Sequence, residues 1–71
     1  MQQRLMFTIV AARSGWQLYE GDQGRSWFAS RNDAMETADL MATSLHRQHG
    51  IPTAVLMDMA GRELVMLMSR G

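Results

Sequence analysis

The run Leu64-Val65-Met66-Leu67-Met68 is apolar at every position. A strand points alternate side chains to opposite faces, so such a run has no face suited to water. It calls for a central strand covered on both sides, or for something that closes the second face of its sheet. Residues Leu5 to Ala12 make nearly the same demand: Leu5, Phe7, Ile9 and Ala11 share one face, and Met6, Thr8 and Val10 share the other. Only one segment has the period of a helix, and one helix covers one face of a sheet. Packing of sheet against sheet between copies would cover the remainder. The competing outcome is a sheet curled strongly around the helix with scattered apolar residues left outside, which proteins tolerate.

Between these runs the punctuation is regular. Arg13-Ser14-Gly15 reads as a turn into a second strand, Trp16 to Glu20, and Gly21-Asp22-Gln23-Gly24 as a hairpin loop into a third, Arg25 to Ala29. The segment Ser30-Arg31-Asn32-Asp33 offers an N-cap at Ser30 or Asn32 and an acidic residue in the first turn, and Gly50 is a natural stop. At about 100° per residue, Ala34, Met35, Ala38, Met41, Ala42, Leu45, His46 and His49 fall within an arc of roughly 140°, opposite Glu36, Thr43 and Arg47. Thr53 to Asp58 is expected as a fourth strand, Met59-Ala60-Gly61 as a turn, and Arg62 to Met68 as a fifth strand. The expected fold is α+β: a five-stranded antiparallel sheet with one helix on one face, in the order β-β-β-α-β-β, filling residues 1–71 as a single domain.

Seventy-one residues bury too small a share of their surface for a wide stability margin, and with no cysteine neither a disulfide nor a thiolate zinc site can add to it. Association between copies is the simplest remaining source of stability. Formal net charge is zero, and the seven basic residues, all arginine, are spread from Arg4 to Arg70, which argues against a strong polyanion binder. The arginine preference suits bidentate phosphate contacts, but a GC-rich bacterial genome produces it equally well. The segment MQQRLMFTIVAAR is too short in its apolar part to span a bilayer and lacks the regions of a secretory signal, so no membrane association and a cytoplasmic location are expected.

The strand Trp16-Gln17-Leu18, the helix opening Ser30-Arg31-Asn32-Asp33-Ala34 with Ala38 and Ala42 following, and the closing aliphatic strand, turn and Gly61-Arg62 resemble a bacterial family of short proteins known as domain of unknown function 2188. The resemblance spans roughly residues 7 to 67. Members of that family often close with Asp-Gly-Arg as a tight turn, whereas here Met59-Ala60 separates Asp58 from Gly61-Arg62. The resemblance implies a fold and carries over no catalytic residue.

Candidate chemistry is sparse. His46 and His49, three apart on a helix, can turn two imidazoles toward one metal, but the further ligands would have to come from Asp39, Asp58 or Glu63 through the fold. Histidines also suit a helix C-terminus with no metal at all, so no metal, cofactor or catalytic residue is expected. Gly21-Asp22-Gln23-Gly24 lacks the Lys-Ser/Thr ending of a phosphate loop and leads into a strand, and no serine lies in an activating context. Trp16 and Trp27 with Arg25 and Arg62 could stack and hold a single-stranded nucleic acid, although large aromatics in so small a domain more often build its core. Eight methionines, four of them in the last hairpin, suit a dimer seam.

The sequence thus points to a homodimer or larger symmetric assembly acting as a small interaction or accessory module, with a single-stranded nucleic-acid-binding sheet as the alternative. The expected interface residues are Met6, Val10, Val55, Met57, Val65 and Leu67, or Leu64, Met66 and Met68 if the register is inverted.

Overall fold

The computed structural model describes residues 4–58 and 63–71. In chain order the elements are β1 (Leu5–Ala12), β2 (Gly15–Glu20), β3 (Gln23–Phe28), α1 (Arg31–His49), β4 (Thr53–Asp58) and β5 (Leu64–Arg70). The strands form one sheet in the order β3-β2-β1-β4-β5. The expected turn at Met59-Ala60-Gly61 and the start of the last strand at Arg62 lie outside the described residues.

The α+β class, the single helix and the five strands in order agree with expectation, but the sheet is mixed and not purely antiparallel: β1 runs parallel to β4, while β1–β2, β2–β3 and β4–β5 are antiparallel. The cause is directional. Two hairpins leave β3 running the same way as β1. The 19 residues of α1 then rise about 28 Å, enough to return the chain past strands about 20 Å long. The next strand therefore starts at the end where β1 starts and runs in the same sense as β1. Because β4, and not β5, takes the place beside β1, that pair is parallel and the sheet is mixed.

Register decides the core. Phe7 lies opposite Val55 and Ile9 opposite both Met57 and Leu18, so these five side chains share the face that α1 covers. All are essentially inaccessible to water and pack with Ala34, Ala38 and Ala42 of the helix. A stripe of alanines lets the helix lie close to the sheet, and the longer Met35, Met41 and Leu45 close the flanks. Buried Thr53 donates its hydroxyl to the carbonyl of Ala42 at 3.3 Å, which satisfies the one buried polar side chain among the described residues.

The ends of the elements follow local chemistry. The Ser30 hydroxyl accepts the Asp33 amide at 3.4 Å, and Gly50 adopts the left-handed conformation, φ 68°, while its N–H caps the His46 carbonyl. The β2–β3 loop is tighter than the four residues expected, because Glu20 pairs with Gln23 and only Gly21-Asp22 turn the chain, with Gly21 at φ 61°. At the β1–β2 turn the left-handed position falls on Ser14, φ 61°, where an L side chain costs about 1–2 kcal/mol. Ser14→Gly is therefore expected to stabilise by about 0.5 kcal/mol, part of the relief being offset by greater freedom of the unfolded chain. A thermal melt should show a midpoint about 2–4 °C higher; a lower midpoint would show that the Ser14 hydroxyl bond to the Arg13 carbonyl outweighs the backbone strain.

Candidate functional site

The face of the sheet away from α1 carries Met6, Thr8 and Val10 from β1, Gln17 and Tyr19 from β2, Trp27 from β3, Ala54, Leu56 and Asp58 from β4, and Leu64 and Met66 from β5. Its apolar exposure is uneven. Leu64 and Met66 retain 59% and 55% of their accessible surface, Trp27 50% and Met6 38%, while Thr8, Val10, Gln17 and Tyr19 are half-buried by their neighbours. Next to Leu64 and Met66 stands Val65, which faces the helix side opposite Met57 and is still 39% exposed. The helix side of the sheet is therefore uncovered over the first half of β5.

The two apolar runs meet different fates. β1 sits at the centre of the sheet, as a two-sided apolar strand should. β5, apolar through Met68, sits at an edge.

The expected interface residues do not share one surface. Met6 and Val10 lie on the open face, but Val55 and Met57 are buried under α1, Val65 is on the helix side, and Leu67 packs against the core. Of the other set, Leu64 and Met66 are exposed on the open face and Met68 packs against the core. Two causes combine. The parallel register puts Val55 beside Phe7 and not beside Met6. A bulge opposite Val55 and Leu56 inserts Leu67 as an extra residue between Met66 and Met68, which interrupts the alternation along β5. Neither the parity between strands nor the bulge has a signal in the residues themselves.

Trp16 and Trp27 are on opposite faces, Trp16 paired with Phe28 and Trp27 with Gln17. Trp16 is half-buried against the core, so the two do not form one stacking platform. Trp27 instead shares the open face with Tyr19. Its indole lies across Gly15, where a Cβ would overlap the ring and the Phe28 carbonyl oxygen.

Several arginines are committed within the fold. Arg25 pairs with Glu20 at 3.4 Å, and Arg70 pairs with Asp39 at 3.1 Å while also donating to the Thr43 hydroxyl. Arg4 donates to the backbone carbonyls of Thr53 and Arg70 at 2.9 and 3.2 Å, tying the start of β1 to β4 and β5. Both Arg4 and Arg70 escaped the sequence reading, since nothing short of the sheet order shows that they face those partners. Arg62 lies outside the described residues.

His46 holds the Ile51 carbonyl through Nδ1 at 3.2 Å, a contact that secures the helix exit, and His49 is exposed. Among the described residues no three His, Asp or Glu side chains gather as a metal site. Zinc is accordingly expected to shift the melting midpoint of the wild type and of a His46→Ala/His49→Ala variant equally. A shift confined to the wild type would assign the pair a metal. A groove of about 410 Å³ runs between the helix and the β2–β3 hairpin, lined by Glu20, Arg25, Leu40, Met41, Ser44 and Leu45. It is wide open, and among the described residues no buried side-chain polar atom is left without a hydrogen-bond partner to receive a ligand there.

No protein-family model, curated protein or solved structure matches the chain. Among the described residues, no helix is long and apolar enough to cross a membrane.

Proposed function

We propose that this chain is a small, non-catalytic interaction or accessory module that works as a homodimer or larger symmetric assembly, built by burying the apolar surface around β5. The observation that carries the proposal is the exposure of three consecutive apolar residues, Leu64, Val65 and Met66, on a strand whose composition suits the interior of a sheet. Two supports add to it. A chain of this length gains margin from association. Among the described residues that strand pairing places on the open face, Asp58 alone is charged, which leaves little charge for a second copy to desolvate.

Sedimentation equilibrium from micromolar to hundreds of micromolar should return twice the chain mass of 8.0 kDa. A Leu64→Lys/Met66→Lys variant should sediment as a folded monomer, because two buried like charges per copy cannot be accommodated across a seam. A wild type that stays monomeric over the whole range would overturn the proposal.

Trp27 and Tyr19 on the open face support the second reading, a sheet that stacks single-stranded nucleic acid. It requires salt-sensitive quenching of Trp27 by oligonucleotides, and an unchanged signal at low salt would remove it.

A further inference from the structure

Resting on the homodimer proposed above, we infer that the second copy docks by strand pairing at the β5 edge, antiparallel about a two-fold axis through Val65, so that two sheets become one continuous ten-stranded sheet. The inference turns on where the exposed apolar residues point. Leu64 and Met66 are on the open face and Val65 is on the helix side, all three strongly exposed. Stacking two open faces would cover Leu64 and Met66 but leave Val65 in water. It would also press Thr8, Gln17 and Asp58 into a dry seam. A strand laid alongside β5 shields both of its faces at once.

The three exposed residues are self-complementary in that arrangement. An axis through Val65 sets Val65 opposite its own copy and Leu64 opposite Met66 of the other chain, so each exposed apolar side chain meets another across the strands. The bulge at Leu67 lies beyond the paired segment and does not break the new ladder. No part of α1 stands in the way, since Val65 is open to water on the helix side.

The two edges of the sheet differ in the way this requires. β3 is guarded: it is polar over Gln23 to Ser26, carries Arg25, and is bulged against β2. β5 is bulged as well, at Leu67, but that lies beyond the exposed segment Leu64 to Met66, which has no other guard. It contains neither proline nor lysine, and its one charged residue, Arg70, is turned back onto Asp39 of the helix. Among the described residues no strand lies beyond β5, so its outer row of amide and carbonyl groups is offered to a partner.

The chain has no cysteine, so single introduced thiols report the geometry directly. Opposed Cβ atoms at an antiparallel pair are about 4.5–5.5 Å apart, within reach of a short bis-maleimide and, with small adjustment, of a disulfide. Val65→Cys should cross-link to a covalent dimer with near-complete yield. A mixture of Leu64→Cys and Met66→Cys should cross-link several-fold more than either alone, and Met6→Cys and Trp27→Cys should remain uncoupled. A dimer by mass that couples through Met6→Cys or Trp27→Cys but not through Val65→Cys would overturn edge pairing while leaving the homodimer standing. A monomer at every concentration would remove both.

Discussion

Phe7→Ala is expected to leave the chain largely unfolded near its growth temperature. Phe7 is the largest of the fully buried side chains and stands at the crossing of β1, β4 and α1, opposite Val55. Truncating a buried phenylalanine costs about 3–5 kcal/mol, made up of lost transfer energy and an unfilled cavity. A domain of 71 residues has about 4–11 kcal/mol in total, so most of the margin disappears. The melting midpoint followed by circular dichroism should fall by about 15–30 °C. Phe7→Leu, which keeps most of the volume, should cost only about 1 kcal/mol. A loss below about 1 kcal/mol for Phe7→Ala would mean that Phe7 is not in the core, and with it the parallel register of β1 and β4 would fall.

The second large effect is expected at a residue with no side chain. Gly15 keeps an ordinary strand conformation, so its requirement is space and not a left-handed φ. The Trp27 indole and the Phe28 carbonyl oxygen occupy the volume a Cβ would need. The indole can swing away, but the carbonyl belongs to the backbone of the paired strand and cannot move without opening the β2–β3 ladder. Gly15→Val is expected to cost about 2–3 kcal/mol, with Gly15→Ala smaller and in the same direction. Tryptophan emission should shift to the red as Trp27 leaves the glycine. An unchanged spectrum and melt would show that the indole does not rest there.

The two predictions address different parts of the molecule. Phe7→Ala tests the layer between helix and sheet, and Gly15→Val tests the β3 edge. Neither residue belongs to the surface proposed for association, so both effects should persist in a monomeric Leu64→Lys/Met66→Lys background.

Much of the architecture was legible in the residues. Of the two N-cap candidates, Ser30 and Asn32, the structure uses Ser30, and Gly50 ends the helix where it was expected, because capping chemistry is local. The alternation in Leu5 to Ala12 and in Trp16 to Glu20 identified two strands and their faces, since period two follows from the pleat. The candidate surface was legible only in part. The apolar run in β5 announced that something must cover it, but the six expected interface residues are scattered over the core, the open face and the β5 edge.

The sequence by itself determined the order of the elements, the end of the helix at Gly50 and the excess of apolar strand over available cover, because each depends on neighbours within a few residues. That β4 runs in the same sense as β1 follows from counting strands before a return helix. That it pairs with β1, and that Val55 and Met57 lie under α1, does not, because both depend on which strand of the last hairpin joins which edge of the first three. Only the tertiary structure decided that β1 would be central and β5 an edge, that the two tryptophans would part to opposite faces, and that Arg4 and Arg70 would be engaged inside the fold. Those outcomes rest on contacts between residues distant in the chain, where register converts the same alternating pattern into burial on one side and exposure on the other.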